Sequence, residues 1–469
     1  MPQNPLVAVV GATGTGKSEL AIEIARKFDG EIINGDAMQL YQGLPVITNK
    51  VTDEEMKEVP HHLLGCIGLE EETWTVGRFV NRALKKIEEI RGRGKLPILV
   101  GGTHYYTQSL LFLDALSEEA ALPSTQNNDV LPILDEATSV ILAKLQEVDP
   151  LMAERWHPNE RRKIQRSLEI YLRTGRPASQ IYDEQRAKRG RSPDSSNGDS
   201  EPNTAGMRFP TLILWVHADK EVLNSRLDAR VDKMLARGLL QEVQSLAEFQ
   251  NELESHTGSI LDQTRGIWVS IGYKEFLDYQ CALTEGSSSV DELEQLKTAS
   301  IAKTQAATRQ YAGRQIKWIR IKLLNALIEV GQKQNMFLLN GTDLSCWASR
   351  VEKPALDLTR TFLAGDSLPP PSSVSAIASE MLTPKRSYDL GRRPDLWQKR
   401  ACAHCGTIAV TENDWNLHVK SRAHRRAVGN EKKSKSNDAK AKAHKPSVAD
   451  IADVFEGSVE IFQDGEITK

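Results

Sequence analysis

Residues 6–28 constrain what this chain can fold into more than any other stretch. Leu6-Val7-Ala8-Val9-Val10 is an apolar, β-branched run of strand length, and Gly11-Ala12-Thr13-Gly14-Thr15-Gly16-Lys17-Ser18 follows it in the form GxxxxGK[ST]. Leu20, Ile24 and Phe28 then repeat at helical spacing. Strand, glycine loop and helix in this order make a phosphate cradle. Gly11, Gly14 and Gly16, with Thr15 between the last two, let backbone N–H groups close round phosphate oxygens without Cβ interference. Lys17 adds a full positive charge, the helix N-terminus a partial one, and the Ser18 hydroxyl is placed to hold Mg²⁺.

The chain continues as alternating strands and helices. Glu31 to Ile33 reads as a second strand opening onto Asn34-Gly35-Asp36, and Thr75 starts a helix carrying Val76, Phe79, Val80, Leu84, Ile87 and Ile90. Leu96 to Val100 is a strand that ends in Gly101-Gly102-Thr103; Thr211 to His217 and Met336 to Leu339 are two more, and Asp219 caps the helix after the first of these. This alternation predicts an α/β fold, a doubly wound parallel sheet of the P-loop type. Such sheets place chemistry at the carboxyl ends of their strands, which makes Asp36 the carboxylate to watch. The strand Leu96–Val100 lacks the terminal Asp that a phosphate-hydrolysing enzyme uses for Mg²⁺, so a small phosphorylated substrate with its reacting end toward Asp36 and Thr103 is the better reading.

From Pro132 the pattern turns helical, over Ile133 to Val148 and again after His157. Arg162, Lys163 and Arg166 share a face above an Ile164, Leu168 and Leu172 stripe, and either a polyanion contact or intrahelical pairs with Glu160 and Glu169 would use them. Lys274, Arg309 and Arg314 stand among Tyr273, Tyr311 and Trp318, a mixture suited to phosphate contact and base stacking. Residues 189–206, rich in Ser, Asp, Asn, Pro and Gly, are expected to be disordered.

The formal net charge of −3 conceals a basic tail: 385–445 holds 16 Lys and Arg against 6 Asp and Glu, an excess of ten that suits a polyanion. Within it stands Cys402-x2-Cys405-x12-His418-x5-His424, the spacing of a closed tetrahedral zinc site, with Trp415 and Leu417 as a minimal core. Cys66, Cys281 and Cys346 fit no disulfide framework, which points to a reducing compartment. No apolar run approaches membrane-span length, and no leader peptide is expected before the first strand. The predicted organisation is a P-loop core in two parts, 1–131 and 207–345, a helical insertion at 132–206, a linker at 346–396, a zinc finger at 397–428, and a basic then acidic tail at 429–469.

These motifs, taken in order, resemble the tRNA dimethylallyltransferases, or tRNA isopentenyltransferases, most closely the forms with a C-terminal zinc finger. The likeness runs through GATGTGKS, INGDAMQLY, ITNKVT, Pro60-His61-His62-Leu63-Leu64, GGTHYY, RRKIQRSLEIY, RLDARVDKMLARGL, IGYKEF and TRQYAGRQIKW. It implies transfer of a dimethylallyl group from dimethylallyl diphosphate to N6 of the adenine 3′ of a tRNA anticodon. By the same resemblance Gly14, Gly16, Lys17 and Ser18 hold the diphosphate with Mg²⁺, and Arg230 reaches the leaving group. Asp36 accepts from N6 with Thr103 beside it, and Ala37, Met38, Gln39, Arg162, Lys163, Gln165 and Arg166 touch RNA. Ala12, Ala37 and Gly313 depart from the usual proline, serine and basic residue, the last at an expected RNA contact.

Two other functions remain compatible with the sequence: a P-loop nucleotide or small-molecule kinase, and a non-catalytic zinc-finger RNA-binding protein. The expected partners are tRNA and the prenyl diphosphate, with no membrane and no second copy. Cytoplasm is the expected compartment, although nucleus and mitochondrion also supply tRNA.

Overall fold

The computed structural model describes residues 2–113, 131–189, 206–258, 260–384 and 396–430. The expected disordered loop 189–206 and the tail 429–469 lie outside the described residues apart from their margins. The chain divides into two compact units, Met1–Thr125 with Ile181–Asp389 and Gln126–Gln180 with Leu390–Lys469.

The first unit is built on six strands: β1 (Leu6–Gly11), β2 (Gly30–Asn34), β3 (His61–His62), β4 (Leu96–Val100), β5 (Thr211–His217) and β6 (Met336–Asn340). They pair in parallel in the order β3-β2-β4-β1-β5-β6. β1, β4 and β5 are buried along their whole length because helices cover both faces, which is why their sequences are apolar without alternation. The pleat still sorts their side chains. Leu6, Ala8 and Val10 share a core with Phe79, Ile87, Leu110 and Trp215; Val7 and Val9 share the opposite one with Leu20, Ile24, Leu214 and Phe337.

Most helices begin where their sequence signals lie. Thr75 accepts the N–H of Arg78 and starts the helix Val76–Gly92, whose Phe79, Val80, Ala83, Ile87 and Ile90 are buried at helical spacing. Three expectations need correction. Asp219 occupies the N-cap of the helix Lys220–Ala236, but its side chain makes no cap hydrogen bond. The helix expected from Ile133 starts at Thr138, after a short 3₁₀ turn at Pro132–Leu134. The stretch 346–396, expected as a linker, contains the helix Lys353–Ala364, whose Ala355, Leu358 and Phe362 pack into the core behind β1. Pro354 obscured this helix, yet it falls in the first turn, where its missing N–H is not needed.

The second unit joins the helices Thr138–Val148, Pro150–Arg155 and Arg161–Thr174 to an antiparallel pair, β7 (Trp397–Ala401) and β8 (Ile408–Thr411), and the helix Glu412–Val419. Asp149 organises its helical part by accepting the N–H groups of Met152 at 3.2 Å and Ser179 at 2.9 Å. The β7 strand docks on these helices: Lys399 donates to the Ala153 carbonyl at 2.7 Å, and the Arg155 guanidinium lies 4.2 Å from the Trp156 ring and 5.0 Å from that of Trp397. The finger, expected as a separate module beyond a linker, therefore shares a compact unit with the insertion helices. Among the described residues no helix is long and apolar enough to cross a membrane.

Candidate active site

The loops that leave the carboxyl ends of β1, β2 and β4 enclose a cavity of about 820 Å³. Gly14, Gly16, Lys17, Ser18, Asp36, Ala37, Met38, Gln39, Thr103, Arg230 and Arg314 line it. The helix Lys17–Lys27 opens on the left-handed Gly16 with no side-chain cap, so its first N–H groups are available to an anion. Gly11 and Thr15 shape the loop from behind: the Thr15 hydroxyl donates to the Ala12 carbonyl at 2.8 Å.

Lys17, Arg230 and Asp36 set the electrostatics beside the phosphate loop. Lys17 donates to the Ala12 carbonyl at 2.6 Å. Burial lowers its pKa to about 8, Asp36 pulls it back up, and Arg230 pushes it further down. Arg230 donates to the Thr13 hydroxyl at 2.8 Å. Burial in turn raises the pKa of Asp36, against the N–H of Met38, which Asp36 accepts at 3.0 Å, and the charges of Lys17 and Arg230. The result is a carboxylate more basic than usual beside positive charge. Thr103 holds it in place indirectly, because its hydroxyl accepts the Ala37 N–H at 3.0 Å.

Two residues join the loops: Gln315, missed by sequence reasoning, and Tyr311, expected only as a base-stacking ring. Gln315, on the long helix Val290–Trp318, is buried; its oxygen accepts the Thr13 N–H at 2.7 Å and its nitrogen donates to the Gly102 carbonyl at 2.8 Å. Tyr311, one turn earlier, lines the cavity, and burial followed by Asp36 raises its phenol pKa, so it remains a donor at neutral pH. Gly102 has no room for a side chain here: a Cβ would fall 2.6 Å from Gln315 Nε2 and 2.8 Å from Asp36 Oδ2.

Other expected contacts are spread more widely. Gln39 spends its amide on the Asn49 carbonyl at 2.9 Å. Arg309 is ion-paired with Asp228, and Lys274 borders a separate cleft with Lys303 and Gln310. In the second unit Arg162 is exposed, Lys163 pairs with Glu160, and Arg166 pairs with Glu169 at 2.9 Å. Lys163 and Arg166 thus carry the expected intrahelical pairs, and an exposed pair such as Lys163–Glu160 is weak enough to be exchanged for phosphate. Gln165 donates to the Leu134 carbonyl at 3.1 Å, a structural contact.

Also in the second unit, donor atoms of Cys402, Cys405, His418 and His424 lie within 4.8 Å of one another. Cys402 Sγ is 3.5 Å from His424 Nδ1, and Cys405 Sγ is 3.4 Å from His418 Nε2. A tetrahedron with ordinary zinc–sulfur and zinc–nitrogen bonds has a mixed edge of about 3.6 Å, so this donor set fits such an ion. The core around it differs from expectation: Cys402 and Ala409 are buried, whereas Leu417 is 62% exposed.

The IPP transferase family model matches residues 39–322 of this chain. The tRNA dimethylallyltransferase of Schizosaccharomyces pombe is 39% identical over 448 residues, covering 91% of this chain and 96% of that protein. The tRNA dimethylallyltransferase of Homo sapiens is 34% identical over 423 residues, covering 90% of this chain and 85% of that one. A solved structure, described as snapshots of a eukaryotic dimethylallyltransferase acting on tRNA, matches with a TM-score of 0.72 at 32% identity, covering 93% of this chain and 99% of that one.

Proposed function

The chain belongs to the IPP transferase family of tRNA dimethylallyltransferases, and on that premise we propose that it moves the dimethylallyl group of dimethylallyl diphosphate to the exocyclic N6 of the adenine 3′ of a tRNA anticodon. The observation that carries this reading is the meeting of an uncapped phosphate loop, Lys17, Arg230 and a buried carboxylate in one cavity. It is an enzyme that transfers a dimethylallyl group to tRNA.

In this reading the bond between the prenyl C1 and the diphosphate oxygen breaks while a bond from N6 to C1 forms. The aromatic amine is a weak nucleophile, so it gains from losing its proton as the new bond develops, and Asp36 takes that proton. Its raised pKa makes it a stronger base, and the charges of Lys17 and Arg230 act against that rise. The departing diphosphate collects negative charge, which the N–H groups of the loop, Lys17 and Arg230 neutralise. Mg²⁺ suits the same place, since the Ser18 hydroxyl is a hard oxygen donor on the cavity wall; bound there it would neutralise further leaving-group charge. Thr103 and Gln315 fix the loops so that base and leaving-group site keep their separation. The cysteine–histidine cluster would hold a structural Zn²⁺, leaving no open position for chemistry. The proposed compartment is a reducing one that supplies tRNA, the cytoplasm first, with nucleus and mitochondrion as the alternatives.

The testing experiment combines purified protein, unmodified tRNA, Mg²⁺ and dimethylallyl diphosphate labelled in the prenyl group. Label recovered on the adenine 3′ of the anticodon supports the reading. Transfer of phosphate from ATP, with no prenyl label in RNA, would instead support the kinase.

A further inference from the structure

The segment that follows β6 reaches back to the phosphate loop through one large side chain. Its first turn is anchored three times: the Gly341 N–H donates to the His217 carbonyl at 2.8 Å, Arg226 donates to the carbonyls of Gly341 at 2.9 Å and of Thr342, and the Thr342 hydroxyl accepts the Asp219 N–H at 3.0 Å. From there the chain passes the 3₁₀ turn Leu344–Cys346 to Trp347 and on to the helix Lys353–Ala364. Val351, Ala355, Leu358 and Phe362 sink into the core that also holds Leu20 and Ile24, on the helix behind the phosphate loop. Trp347 is thus fixed from both sides.

Its indole lies against two glycines. A Cβ on Gly16 would fall 2.4 Å from Trp347 Cη2, and one on Gly341 would fall 2.9 Å from Cζ3. The ring therefore rests on the backbone of Gly16, which has φ +88° and immediately precedes the helix Lys17–Lys27. Gly16 lines the cavity and Trp347 does not, so the indole fills the place where a side chain on Gly16 would stand rather than the ligand space. The helix Lys220–Ala236 serves both partners, since Arg226 holds the anchored turn and Arg230, one turn on, holds Thr13.

We propose that Trp347 is a positioning residue for the prenyl donor, clamping Gly16 from behind so that the N–H groups at the start of the helix Lys17–Lys27 stay aimed into the cavity. This rests on the reading that the loop holds the donor diphosphate. A glycine loop is free to adopt many conformations, and ordering it only on binding subtracts conformational entropy from affinity. A ring already packed on Gly16 removes that cost.

The test compares Trp347→Ala and Trp347→Phe in the full-length protein, with KM measured separately for each substrate and pyrophosphate affinity measured by equilibrium dialysis. The alanine variant should raise KM for dimethylallyl diphosphate about tenfold with kcat and the KM for tRNA within about twofold of the parent, because ground-state donor binding alone is weakened. Phenylalanine should restore the donor KM to within about threefold. Should Trp347→Ala not fold, Gly341→Ala, whose Cβ displaces the indole without removing it, should raise the donor KM in the same selective way. An unchanged donor KM in the folded variants, or a parallel decline in both substrates and kcat, overturns the clamp. If the parent protein itself binds neither pyrophosphate nor dimethylallyl diphosphate, the assignment of the loop to the donor is what fails.

Discussion

The carboxamide oxygen of Gln315 accepts the backbone N–H of Thr13 at 2.7 Å, joining residues 302 positions apart. With the Gly102 carbonyl on its other end at 2.8 Å, one buried side chain ties the loop after β1 to the loop after β4. Gln315→Ala would leave the Thr13 N–H without its partner and the Gly102 carbonyl with only the Tyr311 hydroxyl at 3.4 Å, at a cost of about 1–3 kcal/mol where water cannot enter. Urea unfolding should show a lower midpoint, and kcat/KM for the donor should fall more than the KM for tRNA rises. A variant with parental stability and kinetics would show that the two loops hold their spacing without it.

Asp36 supplies the second prediction. Asp36→Asn keeps an oxygen to accept the Met38 N–H but cannot take a proton from N6. Turnover should drop about 10²- to 10⁴-fold while pyrophosphate affinity stays near the parent value. Near-parental turnover would remove Asp36 from the role of base.

Lys17 gives the reaction an alkaline limit. Its pKa in the ligand-free protein is lowered to about 8, so the charge that attracts diphosphate is complete below that pH and is lost above it. A bound diphosphate favours the charged form and shifts the titration upward. The limb should therefore appear near pH 8 in kcat/KM for the donor, which reports the free enzyme, and at higher pH in kcat. Lys17→Ala should lower kcat/KM and flatten this limb; persistence of the same limb in that variant would assign it to another group.

The parts of this site that could be read from the sequence are those encoded locally. A strand buried on both faces, such as β1 or β4, is an uninterrupted apolar run, and the phosphate loop is a contiguous octapeptide. The contacts of Gln315 and Tyr311 with the loops were hidden because their partners lie more than two hundred positions away; the cations and aromatics of TRQYAGRQIKW are its more conspicuous feature, although the four-residue spacing already placed this pair on one helix face. Trp347 was hidden differently, inside a stretch whose polar and proline content resembles a linker, while its helical period is carried by only a few apolar residues. Arg309 shows the converse: its type suggested RNA, but Asp228 holds it. Composition registers a charge, not its partner.

The last prediction concerns the metal cluster. Cys402, Cys405, His418 and His424 close on a site that β7, β8 and the helix Glu412–Val419 can hardly hold together alone, since Cys402, Ala409 and Thr411 are the only fully buried side chains among the described residues 396–430. In so small a module binding of the ion contributes most of the folding energy. The same unit carries Arg162, Lys163 and Arg166 on its helices and Lys420, Arg422, Arg425 and Arg426 beside the second ligand pair, and β7 docks on those helices through Lys399 and the Arg155–Trp397 stacking. Removing the ion with a chelator, or replacing Cys402 with Ser, should therefore weaken tRNA binding by unfolding the finger and by freeing the helices from β7. The slope of log affinity against log salt should shrink by about 0.7 to 0.9 for each phosphate that the protein no longer neutralises. Pyrophosphate binding should not change, because the loop that holds it lies in the first unit. Turnover at saturating tRNA should stay close to the parent value in Cys402→Ser, whereas absence of turnover at every tRNA concentration, in protein that still binds pyrophosphate, would make the finger part of the chemistry rather than of the grip.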